Sequence, residues 1–201
     1  MAGEFVHTIG DISNIEGTFH GDFLKGRREP RFAMVGRSNV GKSSLINALL
    51  GGRHAQVSNE PGKTRSIHFY LWKDISKIVA DLPGYGYAKI AAVERDRWAQ
   101  FINAYLKTDP KLERALVLLD ARHGPTELDE QAIRFLSFES VPVTFVLTKT
   151  DQLKTQAIRA SRQKEVTEAL TRLGFDPKNA FWVSSKTKDG LKALEKELKG
   201  S

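Results

Sequence analysis

Residues 36–43 read GRSNVGKS, directly after the apolar stretch RFAMV and directly before the helix-like segment SLINALL. The spacing is G-x-x-x-x-G-K-S in a strand-loop-helix context. The backbone N–H groups of such a loop can surround the α- and β-phosphates of a nucleotide, because Gly36 and Gly41 permit close approach. Lys42 would reach the β- and γ-phosphate oxygens, and the Ser43 hydroxyl would bind Mg²⁺. The stretch therefore predicts a phosphate-binding loop, or P-loop, without distinguishing ATP from GTP.

Strand-like and helix-like segments alternate on both sides of this loop. Short apolar stretches occur at 31–36, 66–72, 77–81, 114–120, 142–148 and 180–184. Segments with helical spacing lie at 42–50, 93–107, 126–138, 155–173 and 189–199. Continuous apolar strands separated by helices predict an α/β fold of three layers, with a mostly parallel six-stranded sheet covered on both faces. The brief connection between 66–72 and 77–81 predicts one antiparallel edge strand.

Composition narrows the class of protein. The chain has 201 residues, 40% of them hydrophobic, with no cysteine and a net charge of +7. We expect a nucleotide-binding domain over 31–201, preceded by a loosely packed extension over 1–30. No stretch approaches the ~20 apolar residues of a membrane span, so we expect a cytoplasmic protein with no membrane partner, and a monomer. The positive charge fits an anionic partner such as nucleic acid, and it fits ordinary solubility equally well.

A second loop with a carboxylate follows the stretch KIVAD. Asp81 ends that stretch, where it can hold Mg²⁺ through a water molecule. Gly84, three residues later, would offer its N–H to the γ-phosphate. Residues 81–84 therefore predict the part of the site that senses the γ-phosphate.

Between these two motifs lies the polar, turn-rich segment Pro61-Gly62-Lys63-Thr64-Arg65. Thr64 can bind Mg²⁺ with its hydroxyl and the γ-phosphate with its N–H, so loss of that phosphate would release the segment. Taken alone, these residues fit an ordinary turn better. Their place between the P-loop and Asp81 favours a nucleotide-dependent switch.

The stretch PVTFVLT runs into Thr148-Lys149-Thr150-Asp151. The Asp151 carboxylate can accept two hydrogen bonds from guanine N1–H and its 2-amino group, a donor pair that adenine lacks. Lys149 could lay its alkyl stem along the base, and backbone N–H groups around Ser185 and Lys186 could donate to guanine O6. A helix cap and a solvated turn are the respective alternatives. Because both segments follow strands in the expected order, GTP is favoured over ATP.

Together these segments resemble the motif set of the translation-factor-like P-loop GTPases. More narrowly, GRSNVGKSSLINAL, PGKTRSIHFY, DLPGYGYA and TKTD are similar to those of the EngB family, also called YihA or YsxC, of bacterial ribosome-assembly GTPases. The similarity spans about residues 30–190, and DLPGYGYA beside GKTR is specific to that family. It implies a P-loop GTPase fold and a GTP-binding protein needed for assembly of the ribosomal large subunit. Its partners would be the large subunit or its precursors, with their rRNA and ribosomal proteins. Family members are also linked to cell division and septation.

The resemblance also implies which residues touch GTP or GDP. They are Gly36, Arg37, Ser38, Asn39, Val40, Gly41, Lys42, Ser43, Gly62, Lys63, Thr64, Arg65, Ser66, Asp81, Leu82, Pro83, Gly84, Thr148, Lys149, Thr150, Asp151, Ser184, Ser185 and Lys186. The Mg²⁺ ligands would be Ser43, Thr64 and Asp81, and the residues expected to act in hydrolysis are Lys42, Thr64, Gly84 and Asn39. Two positions depart from the general GTPase pattern. Thr148 replaces the commoner Asn, which would weaken a side-chain contact to the base or P-loop, and Ser185 replaces Ala.

The residue after Gly84 is Tyr85, where Ras-like switches carry a glutamine that orients the attacking water. A tyrosine, with a reference pKa of about 10, does not readily act as a base at neutral pH. We therefore expect slow intrinsic hydrolysis that a partner or an ion accelerates. Asn39 is typical of P-loops that bind K⁺ beside the phosphates, where added positive charge stabilises the transition state. The alternative is an asparagine suited to the loop conformation. Arg37 and Arg65 are more simply surface or RNA-contacting charges than catalytic ones.

Two functions of different classes fit these observations. The first is an enzyme used as a switch, in which Mg²⁺-dependent GTP hydrolysis controls attachment to an assembling large subunit. The second is a GTP-dependent protein-binding module of the division machinery, in which hydrolysis is incidental. Basic residues at 25–28, at Lys63 and Arg65, and along 154–172 are candidate RNA contacts. In the last set the interleaved Glu165 and Glu168 favour a solvated helix face instead.

Overall fold

The computed structural model describes residues 3–20, 27–56, 66–86 and 92–200, with side chains throughout except at 16, 17, 20 and 92–98. The strands in these ranges are β1 (Glu4–Ile9), β2 (Arg31–Gly36), β3 (Ile67–Trp72), β4 (Lys77–Asp81), β5 (Leu112–Asp120), β6 (Val143–Thr148) and β7 (Ala180–Trp182). The α-helices are α1 (Ile15–His20), α2 (Lys42–Leu50), α3 (Ala92–Thr108), α4 (Glu127–Phe138), α5 (Gln156–Arg172) and α6 (Leu191–Gly200).

The strands form one sheet in the order β1-β3-β4-β2-β5-β6-β7. β2 pairs in parallel with β4 and β5, and β5, β6 and β7 continue in parallel. β3 runs antiparallel to both of its neighbours, β1 and β4. The predicted α/β fold with a mostly parallel sheet is confirmed, and all six predicted strands occur. A seventh strand, β1, covers β3, so the antiparallel strand lies one position in from the edge.

Residues 4–20 pack against the domain, which differs from the expected loosely packed extension. Ile9 and Ile15 are 1% exposed, and Phe19 is 8% exposed. The register of β1 against β3 shifts between Phe5 and His7. This irregularity interrupts the alternation of apolar and polar side chains that identifies a strand in sequence. The expected division of the chain at residue 30 stays a prediction, because residues 21–26 lie outside the described residues.

The hydrophobic core has two layers, one on each face of the sheet. Along β2, Phe32 and Met34 face α2 and α6, while Ala33 and Val35 face α1, α3, α4 and α5. Both faces of the central strands are covered, so their sequences read as continuous apolar runs. None of the helices in the described ranges has the length and apolar character needed to cross a membrane.

A buried ion pair lies at the amino ends of the parallel strands. Arg31 Nη1 is 2.5 Å from Asp109 Oδ1, and both side chains are at most 2% exposed. The Tyr105 hydroxyl donates to the other Asp109 oxygen at 3.0 Å. The Arg31 guanidinium also stacks on Phe19, 5.4 Å from the ring centroid. This cluster joins β2 to α1 and α3 at the edge of the sheet opposite the predicted ligand site.

Candidate functional site: a nucleotide-binding edge

The P-loop connects β2 to α2 at the carboxyl edge of the sheet. Gly41 is the N-cap of α2 with φ 110°, a left-handed conformation that glycine adopts without steric cost. Gly36 is also required, because a Cβ there would lie 2.9 Å from Val40 Cγ1 and 3.0 Å from the Leu118 carbonyl oxygen. No side chain caps α2. Its first N–H groups therefore face the loop, as in sites that bind phosphate at a helix N-terminus.

Lys42 and Asp81 lie together beneath this loop. Lys42 Nζ donates to the Gly36 carbonyl oxygen at 3.2 Å. Burial lowers the pKa of Lys42, and the nearby Asp81 charge opposes that shift. Burial raises the pKa of Asp81 to about 6, although the Lys42 charge acts in the opposite direction. These shifts mark two charged groups held in a region of low dielectric constant, where either would stabilise an opposite charge on a ligand strongly.

The donor set at this position fits Mg²⁺. Asp81 is 5% exposed, and its Oδ1 has no hydrogen-bond partner among the described residues. A buried carboxylate oxygen without a donor is costly unless a cation or water completes it. Ser43, in the first turn of α2, supplies a hydroxyl, and Mg²⁺ prefers such hard oxygen ligands. The third predicted ligand, Thr64, lies outside the described residues.

The segment from Leu82 to Gly86 lies directly against the P-loop. Ser38 N–H donates to the Tyr85 carbonyl oxygen at 2.9 Å, and Tyr85 N–H donates to the Gly36 carbonyl oxygen at 3.3 Å. A Cβ on Gly84 would lie 2.8 Å from both Lys42 Nζ and Ser38 N. Gly84 therefore sits where its backbone can approach a terminal phosphate, and a larger residue there would require Lys42 and the Ser38 backbone to shift.

The Tyr85 side chain points to α4. It is 9% exposed, and its hydroxyl donates to Asp129 Oδ1 at 2.8 Å. Burial, followed by the charge and hydrogen bond of Asp129, raises the pKa of Tyr85 far above its ordinary value, so the phenol stays protonated. A phenol held in this way has no proton-accepting role at the phosphates.

Asp129 connects three segments around Tyr85. The carboxylate is fully buried and accepts hydrogen bonds from the Thr126 N–H and hydroxyl at 2.8 and 2.7 Å, which completes a capping box at the start of α4. Arg37 Nε of the P-loop lies 3.3 Å from its Oδ2. The P-loop, the 82–86 segment and the N-terminus of α4 thus share one buried carboxylate, which the sequence analysis missed. Its only sequence signal was the pattern Thr-x-x-Asp before an apolar run.

The last residue of β6 and the residue after it contact the P-loop. The Thr148 hydroxyl lies 2.7 Å from the Val40 carbonyl oxygen, and 3.2 Å from the Leu119 carbonyl oxygen. A side-chain contact to the P-loop is therefore present with threonine at position 148, which is buried. Lys149 has φ 61°, and its Nζ donates to the Asn39 carbonyl oxygen at 2.6 Å.

Asp151 is oriented by the last predicted segment. Ser184 is fully buried, and its hydroxyl donates to Asp151 Oδ1 at 2.7 Å. Ser184 Oγ in turn accepts hydrogen bonds from the N–H groups of Lys186 and Thr187 at 3.2 and 3.1 Å. Ser184 therefore orients Asp151 through this hydrogen bond. The Lys186 N–H, which was predicted to reach a base, instead donates to Ser184.

An acidic residue at the end of β5 completes this edge, and the sequence analysis missed it. Asp120 is 3% exposed and accepts hydrogen bonds from Arg122 and from Lys149 Nζ, the latter at 3.0 Å. Burial acts to raise the pKa of Asp120, but the hydrogen bonds from Arg122 and Lys149 outweigh it and hold the pKa well below its ordinary value. The available signal was a single charge that ends an otherwise apolar strand.

The structure brings most of the predicted segments to one place. Residues 36–43 contact 84–85, 148 and 149, and residue 151 contacts 184. Ser66 precedes β3 and lies near Gly10, the residue after β1, because a Cβ on Gly10 would lie 3.9 Å from its Oγ. The remaining predicted contacts, Gly62, Lys63, Thr64 and Arg65, lie outside the described residues.

Comparisons with known proteins agree with this geometry. A family model described as 50S ribosome-binding GTPase matches residues 31–149. A Ligilactobacillus salivarius protein named probable GTP-binding protein EngB is 50% identical over 125 residues, which are 62% of this chain and 63% of that protein. A Petrotoga mobilis protein of the same name is 43% identical over 166 residues, covering 83% of each.

A crystal structure of a probable GTP-binding protein engB superposes with a TM-score of 0.63 at 22% identity, covering 84% of this chain and 96% of that one. At this identity the superposition supports the fold, and the sequence relatives support the family. The site agrees with both the fold and the family: it has a P-loop, a buried carboxylate at the end of β4 and an oriented aspartate after β6. The chain belongs to the EngB family of GTP-binding proteins, a group of P-loop GTPases.

Proposed function

We propose that this chain hydrolyses GTP slowly with Mg²⁺, and that its nucleotide state controls attachment to the ribosomal large subunit or its precursors. The match to the 50S ribosome-binding GTPase family over residues 31–149 carries the ribosomal part of the proposal. The buried position of Tyr85 supports the slow rate. Both parts go beyond GTP binding itself, and each has its own test.

In the proposed phosphate site, the P-loop N–H groups hold the α- and β-phosphates, and Lys42 bridges the β- and γ-phosphates. Bound Mg²⁺ would neutralise charge that develops on the phosphate oxygens, with Ser43 and Asp81 holding it. Gly84 offers its N–H to the γ-phosphate, and Thr64 closes on the same group. Removal of the γ-phosphate then frees the 82–84 backbone to move.

Guanine recognition rests on Asp151. Its carboxylate pairs with the N1–H and 2-amino group of guanine, while the Ser184 hydrogen bond fixes the carboxylate's orientation. A site that pairs a base in this way rejects an analogue without the donors by a large factor, because its own polar groups would lose their partners. Competition of GDP and ADP for a fluorescent guanine nucleotide tests this assignment, and equal displacement by both would contradict it.

The ionic requirement is a separate part of the proposal. Asn39 has φ 62°, a conformation that asparagine tolerates better than most residues, which supports the alternative of an asparagine suited to the loop. We include K⁺ as a second ion because the Asn39 amide lies on the P-loop. The test compares hydrolysis in K⁺ and Na⁺ for the wild type and for Asn39→Gly, which keeps the positive φ and removes the amide. Equal rates in both salts would exclude K⁺ activation.

Ribosome attachment is tested by sedimentation through sucrose gradients with large-subunit precursors. We expect the chain to migrate with these particles in a non-hydrolysable GTP analogue and to remain at the top of the gradient in GDP. Lys42→Ala, which removes the phosphate contact, should stay at the top in both nucleotides. Sedimentation that does not depend on the nucleotide would contradict the switch.

Contacts to rRNA are a further part of this proposal. Several cations of α5 are engaged by carboxylates, Arg162 with Glu165 and Arg172 with Glu130 among them. Lys164 lies 3.9 Å from Glu168. These pairs support the solvated-face interpretation for α5, and Arg27 is likewise paired with Glu29 at 3.1 Å. The other basic residues of 25–28, with Lys63 and Arg65, stay the candidate RNA contacts. Binding through phosphates should weaken steeply with salt, so particle association that is insensitive to salt would count against these contacts.

A further inference from the structure

The Lys149 side chain crosses the P-loop between two fixed anchors. It starts from a backbone with φ 61° at the end of β6. A Cβ on Gly41 would lie 3.9 Å from Lys149 Cε, so the stem passes over that glycine. Its ammonium then reaches the Asn39 carbonyl oxygen at 2.6 Å and Asp120 Oδ2 at 3.0 Å. A flexible lysine stem takes one course only where its charged end is held in this way.

Asp120 is itself held rigidly. Arg122 donates to Oδ1 from its backbone N–H at 3.0 Å and from Nε at 2.9 Å, and to Oδ2 from Nη2 at 2.6 Å. The second Oδ2 partner is Lys149, so both carboxylate oxygens are used. Arg122 Nη1 also donates to Gln152 Oε1 at 3.1 Å. Gln152 directly follows Asp151, so this network also contacts the segment that carries the Asp151 carboxylate.

We propose that Asp120 is a positioning residue for guanine nucleotides, which holds the Lys149 stem in place as one wall of the base site, with Arg122 fixing Asp120. The proposal rests on the guanine site described under the proposed function. An asparagine at position 120 would have one acceptor oxygen and no negative charge. It would therefore bind Arg122 and Lys149 less strongly, because charge-assisted hydrogen bonds are stronger than neutral ones. The stem of Lys149 would then sample other rotamers and leave the base.

The test measures dissociation of a fluorescent GDP analogue by stopped flow from the full chain with Mg²⁺. Asp120→Asn should accelerate dissociation about tenfold, as expected for loss of one charge-assisted hydrogen bond. Arg122→Met should accelerate it about threefold, because Arg122 is partly exposed and acts one step further away.

Two controls separate positioning from general stability. Lys149→Met keeps most of the stem and removes the ammonium, so Asp120→Asn should add nothing to dissociation in that background. Asp109→Asn changes another buried, ion-paired carboxylate at the opposite edge of the sheet. It should lower the melting temperature without accelerating GDP dissociation.

Each outcome decides the proposal. The same acceleration by Asp120→Asn with and without Lys149→Met would overturn it, as would unchanged dissociation. If Asp120→Asn does not fold, Arg122→Met decides alone, and wild-type dissociation from that variant would overturn the proposal. Equal affinity of the wild-type protein for ADP and GDP would instead contradict the guanine site itself, and the positioning role would fall with it.

Discussion

Replacing Tyr85 with phenylalanine tests the buried connection between the 82–86 segment and α4. The substitution removes the hydroxyl that donates to Asp129 at 2.8 Å and keeps the ring. A hydrogen bond to a charged acceptor contributes about 1.5–3 kcal/mol. Asp129 keeps the Thr126 donors and the nearby Arg37, so we expect a loss of about 2 kcal/mol. For a chain of this size that corresponds to a fall in melting temperature of about 4–8 °C.

The assay combines thermal unfolding with single-turnover GTP hydrolysis. Because the Tyr85 hydroxyl points to α4, Tyr85→Phe should lower the melting temperature and leave the hydrolysis rate unchanged. Tyr105→Phe is the matched control, since its hydroxyl donates to the buried Asp109 at the opposite edge and should cost similar stability. A tenfold fall in hydrolysis with an unchanged melting temperature would refute the reasoning, because the hydroxyl would then act at the phosphates.

Three further predictions concern the nucleotide site. Ser184→Ala removes the hydrogen bond to Asp151, and GTP affinity should fall about five- to tenfold in competition titrations, with a smaller preference for GTP over ATP; unchanged preference would contradict the orienting role. Gly84→Ala places a methyl group 2.8 Å from Lys42 Nζ, so the difference in affinity between a GTP analogue and GDP should disappear while GDP still binds. The pKa of Asp81 is raised from 3.8 to about 6 in the folded protein without Mg²⁺ and nucleotide. Between about pH 4 and about pH 6, Asp81 is therefore protonated in the folded state and ionised in the unfolded chain. The free energy of unfolding should therefore increase as pH falls from about 6 to about 4, by about 3 kcal/mol relative to Asp81→Asn in urea titrations, and a difference independent of pH would contradict it.

Much of the nucleotide site could be predicted because short runs of contiguous residues form it. The P-loop needs glycines, a lysine and a hydroxyl at fixed spacing between a strand and a helix, and each requirement is local. The order of the strands and helices was predictable for a similar reason, since strands covered on both faces are continuously apolar.

The interactions that were missed join residues far apart in the chain. Tyr85 and Asp129 are separated by 44 positions, and Asp120 and Lys149 by 29. The local sequence around each residue does not identify its partner. Packing of α4 on the sheet brings Asp129 to Tyr85, and pairing of β5 with β6 brings Asp120 to Lys149. β1 was missed for a related reason, since an irregular strand is recognised by its pairing with β3 and not by its own pattern.

By itself, the sequence determined the order of the elements from β2 onward, the P-loop, the carboxylate at Asp81 and the aspartate at Asp151 that we propose reads guanine. Only the tertiary structure decided what surrounds them. It turned Tyr85 into α4 and away from the phosphates, it left Asp81 Oδ1 without a donor among the described residues, and it tied Lys149 to Asp120. The physical reason is that motif spacing follows local backbone geometry, whereas burial and charge pairing depend on which surfaces meet when the sheet and its helices pack.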